Sequence, residues 1–257
     1  MNLLILQSEE IATLIPATDR RSIHVAKVLK KGRGDEITVG ILTNEAFSRA
    51  PGSLGRARIE KLDGEGMILR FVPEGEAPPL RPLRLILGFP RPIQGARLLK
   101  DLASLGIAEI ILCGTELGEK SYLESDLWKK AEYRKALLEG AEQAANPRLA
   151  RVRREWSLKA ALASLAEDRD SEEGEPDWKS GSGYYLHPGK GSPRLGSLEP
   201  FAPFSLAVGS ERGWTEGEIA RLSASGFRIA SLGDRILKTE TAALASVSII
   251  LSRLGFM

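Results

Sequence analysis

The stretch LRLILGFPRPIQGARLLKDLASLGIAEIILC, residues 83–113, decides the fold class. Its two ends, with cores at 84–89 and 108–113, are almost continuous apolar runs. Such runs are typical of parallel strands that helices cover on both faces. Between them lies an apolar helical face followed by a glycine stop signal: Leu98, Leu99, Leu102, Leu105 and Gly106. The stretch therefore predicts a strand–helix–strand unit and an α/β fold with a parallel sheet.

The first 75 residues have a different pattern. Short strand-like runs are separated by Gly, Asp, Asn and Pro turns, and one piece looks helical: strands at 3–6, 36–41, 56–62 and 67–72, and the helix at 23–30. These runs predict a small β-barrel. The segment 73–82 is rich in Pro, Gly and Glu, and its prolines disfavour a helix or a central strand. We therefore place a domain boundary there, between domains at 1–75 and 76–257.

The rest of the chain continues the alternation of strands and helices. Strands are predicted at 184–187, 204–209 and 227–233, a long helix at about 125–145, and an exposed acidic loop at 168–183.

Two late helices have clear signals. Thr215 and Glu218 form a capping box, Trp214 and Ile219 stand at the positions of a hydrophobic staple, and Gly226 ends that helix. The last helix, at about 240–254, has a wide apolar stripe: Ala243, Leu244, Val247, Ile250, Leu251 and Leu254. This stripe packs on its own sheet or partly against a second subunit.

The composition of the 257 residues, 42% hydrophobic and 27% charged, is close to the globular average and excludes wholesale disorder. No run approaches the roughly 18 apolar residues of a membrane-spanning helix, and the start MNLLILQSEE lacks the basic region of a secretion signal. We therefore expect a cytoplasmic protein without membrane contact. Cys113 is the only cysteine, which excludes an intrachain disulfide and a cysteine-rich metal site.

The basic residues are clustered although the net charge is only +2. One cluster has six basic residues and no acidic one: Arg20, Arg21, Lys27, Lys30, Lys31 and Arg33. The second lies mid-chain: Arg148, Arg151, Arg153 and Arg154. Each cluster is either a solvated face or a phosphate-binding surface, and the presence of two favours a polyanionic partner.

Several common active sites are excluded by their motifs. The nearest match to a Walker phosphate loop, LGDRILKT, has Leu237 in place of the second glycine. No stretch carries the three glycines of the dinucleotide-binding fingerprint, and neither H-E-x-x-H nor G-x-S-x-G occurs. His24 and His187 alone cannot form a histidine-rich metal site, so we expect no metal.

Three loops that follow apolar strands are the remaining candidates: LHPG at 186–189, GSERG at 209–213 and LGDRILKTETA at 232–242. In open α/β sheets, ligands bind outside the carboxyl ends of the strands, and glycine lets a ligand reach the backbone. A helix cap explains the threonines of the third loop but not its charged residues. The pattern alone leaves open whether this loop forms a ligand pocket.

The third loop resembles a known signature. LGDRILKTETAALA (232–245) is similar to the LG-x-R-I-L-R-T-E-T-A motif of the 16S ribosomal RNA uridine-N3 methyltransferase family. AVGSERGWTEGEI (207–219) resembles the family's I-G-P-E-G-G with a helix cap and Glu, and AEQAANPRLARV (141–152) resembles its E-Q-x-x-R segment. HVAKVLKKGRGDEITVG (24–40) resembles its H-x-x-x-V-L-R and G-x-x-I stretch. The resemblance covers nearly the whole chain in the family's domain order.

The resemblance implies a SPOUT-class methyltransferase. Its small PUA-like β-barrel would be the RNA-binding domain at 1–75, and its α/β domain at 76–257 would carry a deep C-terminal trefoil knot. The implied reaction transfers a methyl group from S-adenosylmethionine to N3 of a uridine. The implied partners are 16S rRNA, or the assembled small ribosomal subunit, and a second copy of the chain in a homodimer.

The resemblance also assigns roles to residues. Glu240 is the candidate base for the N3 proton, and Arg235 and Lys238 are candidate cations near the ring oxygens; alternatively, Glu240 only pairs with Arg235. Candidate cofactor-binding residues lie in the three loops: Leu186, His187, Val208, Gly209, Glu211, Gly213, Leu232, Gly233, Ile236, Leu237 and Thr241. Candidate RNA-binding residues come from the two basic clusters: Arg20, Arg21, Lys27, Lys30, Arg151, Arg153 and Arg154.

The chain departs from the family pattern at five positions. Ser210 and Arg212 stand in place of Pro and Gly, while Lys238, Asn146 and Leu117 stand where arginine is common. Arginine binds phosphate through a fork that Leu and Asn lack. Two alternatives therefore remain beside the family reaction: an RNA-binding relative that has lost catalysis, and the same catalytic fold acting on a different RNA.

Overall fold

A computed structural model describes residues 2–42, 52–167, 177–178, 180–189 and 191–257. The chain forms two compact units, Met1–Leu80 with Leu137–Leu149, and Arg81–Ala136 with Ala150–Met257. The first unit therefore contains a piece of chain far beyond the expected boundary. Among the described residues, no helix is long and apolar enough to cross a membrane. The same residues contain no group of three or more His, Cys, Asp or Glu side chains that could hold a metal ion.

The first unit has a five-stranded sheet with the order β1-β3-β4-β5-β2. Its strands are β1 (Leu4–Gln7), β2 (Ile15–Pro16), β3 (Glu36–Leu42), β4 (Ser53–Leu62) and β5 (Gly66–Glu76). All of its pairs are antiparallel except β1 with β3. Buried and exposed residues alternate along β4, and the buried side contributes Ala57 and Ile59 to one apolar core. The four predicted strands are present, while β2 was not predicted because two residues give no periodic signal.

The predicted helix at 23–30 lies in the right place but begins earlier and changes type. Helix α1 (Arg20–Ile23) is capped by Asp19, whose carboxylate accepts a hydrogen bond from the Arg21 backbone N–H at 2.8 Å. It continues as a single π-helical segment, His24–Val28. A short 3₁₀ helix, Ser8–Glu10, precedes it in this unit.

The expectation that the prolines of 73–82 disfavour a central strand is wrong at the end of the segment, because β6 lies between β10 and β7. Strand β5 continues to Glu76, and β6 (Arg81–Gly88) already contains Pro82. Both strands are irregular at their prolines: the β4–β5 register shifts where Gly55 pairs with Pro73, and the β6–β7 register shifts between Arg81 and Arg84. Proline is tolerated at such irregularities because its missing N–H interrupts no regular ladder there.

The second unit has a six-stranded sheet with the order β11-β9-β10-β6-β7-β8, and every pair in it is parallel. The strands beside β6 are β7 (Ile107–Cys113), β8 (Arg151–Glu155), β9 (Ser182–Leu186), β10 (Phe204–Val208) and β11 (Arg228–Ala230). Leu85, Ile86, Ile110 and Ile111 are fully buried, so helices cover both faces of the central strands. The predicted α/β fold with a parallel sheet is confirmed.

Eight α-helices are described in the chain. Beyond α1 they are α2 (Pro92–Ser104), α3 (Lys120–Leu123), α4 (Asp126–Lys129), α5 (Tyr133–Gln143), α6 (Leu158–Glu167), α7 (Glu216–Ala224) and α8 (Thr239–Arg253), with a 3₁₀ turn at Leu195–Ser197. Helix α2 stops before Gly106, whose φ of +72° confirms the predicted stop signal. The capping box of Thr215 and Glu218 is also confirmed at α7.

Two sequence predictions in the second unit need correction, and two elements of this unit were not predicted. The single helix expected at 125–145 is two helices, because Ala131 between α4 and α5 has a φ of +56°. The strand expected at 227–233 is reduced to 228–230. Strand β8 and helix α6 were not predicted, since β8 has the sequence RVRRE and lacks an apolar run. Most of the predicted acidic loop, 168–176 and 179, lies outside the described residues.

Candidate functional site

The sheet of the second unit brings the three candidate loops together. Strands β11, β9 and β10 are neighbours and parallel, so their carboxyl ends lie at one edge of the sheet. The loops after them enclose a cavity of about 320 Å³. Of the predicted cofactor-binding residues, all but Thr241 line it: Leu186, His187, Val208, Gly209, Glu211, Gly213, Leu232, Gly233, Ile236 and Leu237.

The loop after β10 makes a tight turn. The Gly213 N–H donates to the Ser210 carbonyl at 2.8 Å, and Gly213 has a φ of +73°. A Cβ at Gly209 would lie 3.0 Å from the Gly213 backbone, so this approach favours glycine. The non-glycine residues with positive φ in the described chain are Ala12, Lys30, Ala131 and Ala145. Arg212 is not one of them, so arginine fits this position without backbone strain.

Neighbouring loops hold this turn in place. The Thr115 hydroxyl donates to the Ser210 hydroxyl at 2.9 Å, and the Arg91 N–H donates to Glu211 Oε1 at 3.3 Å. A Cβ at Gly88, the last residue of β6, would lie 2.4 Å from the Ser210 nitrogen. Ser210, which stands in place of the family's proline, thus has a hydrogen-bonding role in this chain.

The start of α7 is fixed by a carboxylate network. The Glu116 N–H donates to Glu218 Oε1 at 2.9 Å, and the Thr215 hydroxyl donates to Glu116 Oε2 at 2.6 Å. Arg221 pairs with Glu116 Oε1 at 2.6 Å. The hydrogen bonds from Thr215 and Arg221 lower the pKa of Glu116. Glu116 therefore binds Thr215 and Arg221 of this protein and fixes the loop after β10.

The third loop contributes the exposed part of the cavity. Ile236 is 89% exposed and Leu237 is 38% exposed, which is unusual for aliphatic residues that line a cavity. Arg235 lines the cavity beside them. The φ of Gly233 is +119°, and nothing lies within 4 Å of a Cβ built there. A larger residue at Gly233 would therefore act through backbone strain and not through a steric clash.

The three candidate catalytic residues are not all brought together. Lys238 is the N-cap of α8 and Glu240 lies half-buried in its first turn, and neither lines the cavity. Thr241 is exposed on the same turn and also lies outside the lining. Between these described residues, no salt bridge within 4.0 Å joins Arg235 to Glu240. The alternative of a structural Arg235–Glu240 pair therefore finds no support in the geometry.

Two buried polar atoms at the cavity lack a hydrogen-bond partner among the described residues. They are Nδ1 of His187 and Nε1 of Trp214. A buried polar group without a partner costs about 1–3 kcal/mol, so such groups point to a ligand. The cavity thus combines an apolar wall with unsatisfied polar groups, as small-molecule sites do.

Sequence reasoning missed six lining residues: Pro188, Ser210, Arg212, Trp214, Thr239 and Ala242. Pro188, Ser210 and Arg212 lie within the loops that were singled out, so adjacency could have found them. Trp214 was predicted only as part of a helix staple, and it does belong to the same apolar cluster as Ile219. Thr239 and Ala242 line the cavity because the first turn of α8 faces it, whereas Thr241 is exposed.

The candidate RNA-binding residues of the first unit divide into paired arginines and exposed lysines. Arg20 forms two hydrogen bonds with Glu142, at 2.7 and 2.8 Å. Arg21 binds Glu10 at 2.6 Å and Asp19 at 2.9 Å, and these hydrogen bonds raise its pKa further. Lys27 and Lys30 are exposed, and no salt bridge in the described chain involves them.

The arginines of β8 also have partners within their own unit. Glu109 on β7 is fully buried and pairs with Arg84, with Arg153 at 3.0 Å and with Arg151 at 3.8 Å. A buried carboxylate needs such cations, because an unpaired charge in the core is costly. Arg154 donates to the Trp128 carbonyl at 2.8 Å. The mid-chain cluster is thus partly a structural ion-pair network.

Comparison with known proteins identifies the family of this chain. The profile of the family described as RNA methyltransferase domain matches residues 76–251. The chain belongs to the RNA methyltransferase domain family. Ribosomal RNA small subunit methyltransferase E of Treponema pallidum is 34% identical over 257 residues, covering 98% of this chain and 91% of the relative. Ribosomal RNA small subunit methyltransferase E 1 of Borreliella burgdorferi is 30% identical over 254 residues, which cover 99% of this chain and 99% of the relative.

Solved structures of similar proteins share the fold of this RNA methyltransferase family member. The Neisseria gonorrhoeae ribosomal RNA small subunit methyltransferase E, solved bound to S-adenosyl methionine, has a TM-score of 0.70 at 22% identity, with 99% of this chain and 98% of that chain covered. A probable rRNA methyltransferase from Porphyromonas gingivalis has a TM-score of 0.74 at 18% identity, with 99% of both chains covered. At these identities the likeness concerns the mixed α/β fold with its parallel sheet.

Proposed function

We propose that this chain is an S-adenosylmethionine-dependent methyltransferase that methylates N3 of a uridine in 16S rRNA. The observation that carries the proposal is the cavity at the ends of β9, β10 and β11, where Arg235 lies beside an apolar wall. The family membership and the names of the two full-length relatives support the same reaction class. The 16S rRNA, free or in the assembled small subunit, is the proposed partner.

The residues of the cavity fit S-adenosylmethionine. Leu186, Leu232 and Ile236 provide apolar surface for the adenine, and Gly209 and Gly233 leave backbone groups accessible beside it. The buried Nδ1 of His187 and Nε1 of Trp214 are available for its polar groups. When bound, this cofactor supplies an electrophilic methyl group that needs alignment with the acceptor but no further activation.

The chain's own residues must make the acceptor nucleophilic. Uracil N3 carries a proton at neutral pH, and its removal places negative charge on the ring oxygens. Arg235 at the cavity would stabilise that charge, with Lys238 as a second cation at the start of α8. Glu240 is our candidate base, because it is half-buried within the first turn of the helix that lines the cavity. Glu211 is the carboxylate of the described lining and is the alternative base.

The first unit is proposed to bind RNA. We infer a PUA-like barrel from the resemblance, with the exposed Lys27 and Lys30 as phosphate contacts. We also infer that the C-terminal segment, which supplies β11 and α8, is threaded into a trefoil knot as in SPOUT relatives. Of the remaining candidate contacts, Arg20, Arg21 and Arg153 have carboxylate partners, so their role in RNA binding is secondary to a structural one.

A homodimer is proposed from the surface of α8. Ala243, Val247, Ile250 and Leu251 are buried, but Leu244, Ala245 and Ile249 are only half-buried. A second copy of the chain would cover these apolar residues. Light scattering at micromolar concentration should give the mass of a dimer, and a monomer under these conditions would contradict the proposal.

Nucleoside mass spectrometry tests the function. Small subunits from cells that lack the gene, incubated with the purified protein and S-adenosylmethionine, should gain one N3-methyluridine in 16S rRNA. Methylation of another RNA would keep the enzyme class and change the substrate. Cofactor binding without any product would favour an RNA-binding relative that has lost catalysis.

The cofactor site is tested by filling the cavity. Ala242→Phe adds a large side chain at a lining position on α8 and should weaken S-adenosylmethionine binding at least tenfold by calorimetry. Its thermal melt should stay close to the wild type, because a helix tolerates Phe without backbone strain. Thr241→Ala, one residue earlier but exposed, is the matched control and should change the affinity by less than twofold. Equal affinities in both variants would place the cofactor elsewhere.

A further inference from the structure

A second recess lies at the same edge of the sheet, beyond the other three strands. It has a volume of about 340 Å³. It is lined by residues that follow β6, β7 and β8 and by the last two residues of β8: Phe89, Leu123, Glu124, Lys129, Arg154, Glu155 and Trp156. Of its two carboxylates, Glu124 pairs with Lys129. We call it the Trp156 recess. Since all six strands are parallel, the Trp156 recess and the cavity at β9–β11 lie at the same edge. The reaction proposed above makes no use of it.

Trp156 is presented to solvent on a rigid backbone. Its side chain is 77% exposed, whereas Trp128 and Trp214 are buried. The Gly114 N–H donates to the Glu155 carbonyl at 3.1 Å, and the Leu158 N–H donates to the Gly114 carbonyl at 2.9 Å, so the chain is held on both sides of Trp156. A Cβ at Gly114 would lie 2.2 Å from the Trp156 carbonyl oxygen. The fold thus fixes the position of a large aromatic side chain that contributes little to its own core.

Arg154 lines the recess with Trp156, and Arg91 contacts the residue that precedes the lining residue Leu123. Arg154 is two residues from Trp156, lines the recess and donates to the Trp128 carbonyl. Arg91 Nε donates to the Tyr122 hydroxyl at 3.0 Å, which raises the pKa of Arg91, and Tyr122 precedes the lining residue Leu123. In the described chain, neither arginine has a salt bridge within 4.0 Å. An exposed aromatic ring beside unpaired cations is the chemistry that binds single-stranded nucleic acid.

The Trp156 recess lies within reach of a strand of RNA that enters the cavity at β9–β11. Strand β8, which Trp156 directly follows, lies three strand spacings from β10, which corresponds to about 15 Å at the usual separation. Arg91 spans part of this interval, since its backbone N–H contacts Glu211 of the cavity while its side chain contacts Tyr122. A single strand with its target base in the cavity would reach Trp156 within a few nucleotides.

We propose that Trp156 and Arg154 form a subsite for a flanking nucleotide of the RNA, whose base stacks on the indole and whose phosphate pairs with the guanidinium. This inference rests on the proposed function. The subsite would position the target loop and contribute to the choice of substrate, because only a strand with an unpaired base at the right distance occupies both places.

The test measures binding of a fluorescently labelled single-stranded oligoribonucleotide, rich in uridine, by anisotropy. Trp156→Ala should weaken binding about tenfold or more, and Trp156→Phe should restore most of it, because a phenyl ring still stacks. Phe201→Ala is the matched control, since Phe201 is also an exposed aromatic but precedes β10 and so lies at the opposite edge of the sheet. Its affinity should equal that of the wild type.

Salt dependence separates the base contact from the phosphate contact. Trp156→Ala should leave the slope of log affinity against log salt unchanged, while Arg154→Ala should reduce it by about 0.7. Melting temperature and S-adenosylmethionine affinity should be unchanged in Trp156→Ala.

Other outcomes overturn the inference. Unchanged RNA affinity in Trp156→Ala, with normal methylation by the wild type, would remove the subsite and leave the proposed function intact. A change of oligomeric state in that variant would show that a second copy covers Trp156. If the wild type neither binds RNA nor forms N3-methyluridine, the proposed function fails together with the subsite.

Discussion

Two arginines of the cavity at β9–β11 and two paired arginines of the basic clusters have opposite surroundings. Arg212 and Arg235 line the cavity, and in the described chain neither has a salt bridge within 4.0 Å. Arg21 and Arg153 are held by carboxylates, and the partner of Arg153 is fully buried. A run of basic residues in a sequence therefore says little about available charge, because its counter-ions can come from distant segments. A charged residue in a glycine-containing loop after a strand is a better indication of a site.

The largest effect is expected for Arg235. Arg235→Ala should lower the single-turnover rate of methylation by roughly 10² or more, since it removes a cation that acts only when the acceptor becomes negative. S-adenosylmethionine affinity, measured by calorimetry, should stay within a fewfold of the wild type. Lys238→Ala should have a smaller effect, below about tenfold, because Lys238 does not line the cavity. A normal rate in Arg235→Ala would show that Arg235, like the paired arginines of the basic clusters, does not act in methyl transfer.

The same assay decides between the two carboxylates. Glu240→Gln should lower the rate by roughly 10² if Glu240 removes the N3 proton. Glu211→Gln should chiefly change the affinity for ligands, because Glu211 accepts a hydrogen bond from the Arg91 backbone at the cavity edge. A loss of rate in Glu211→Gln, with a normal rate in Glu240→Gln, would identify Glu211 as the base.

An intermediate effect, on stability, is expected for the arginine next to buried Glu109. Arg153 is 14% exposed, and Arg153→Ala should lower the free energy of unfolding by about 2 kcal/mol, because Glu109 loses one of its cations but keeps Arg84. Denaturant unfolding measures this loss.

The exposed lysines provide the contrast. Replacing Lys27 and Lys30 together by Ala should leave unfolding unchanged and reduce the salt slope of RNA binding by about 1.4. If Arg153→Ala instead flattened the salt slope at full stability, the division into structural and RNA-binding cations would be wrong.

The smallest effect concerns acid stability of the first unit. Burial would raise the pKa of Glu10, but hydrogen bonds from Arg21 and the Gln7 backbone lower it overall, and the Arg21 hydrogen bond lowers that of Asp19. Because both pKa values are depressed, this stabilisation is present above the ordinary carboxylate range near pH 4 and is lost as the pH falls through the folded values. Thermal melts between pH 6 and pH 3 should show it.

Arg21→Ala tests that acid dependence. The variant should be less stable at pH 6, on the order of 1 kcal/mol, and its stability should fall less steeply with acid than that of the wild type. Parallel curves for the two proteins would show that Arg21 does not set the two carboxylate pKa values.

How far the sequence predicted the structure depended on whether the signal was local. The βαβ unit around Gly106 and the capping box at Thr215 were predicted because a few neighbouring residues determine them. The break at Ala131 was missed because alanine is a strong helix former and only tertiary packing explains its positive φ. Strand β8 was missed because its arginines are neutralised by Glu109, which is distant in sequence.

The candidate site follows the same rule. Its three loops were found as strand ends, and Gly209, Gly213, Gly233 and Arg235 do line one cavity. Thr241 was predicted to line the cavity, but it is exposed and the next residue, Ala242, lines it. The sequence does not determine this, because the side of a helix that faces a cavity depends on how the helix packs. The Trp156 recess gave no sequence signal, since a single tryptophan after a basic strand is ordinary until its exposure is known.

The order of strands has a consequence for synthesis of the protein. The cavity is lined by residues from Leu186 to Ala242, and β9 lies between β10 and β11, both of which follow it in the chain. Chains emerge from the ribosome amino end first, so the pocket is completed only after the first turn of α8 has been translated. A ligand of this pocket stabilises, by mass action, only chains that contain all three loops and the start of α8. Ligand occupancy would thus distinguish chains with these segments from shorter ones.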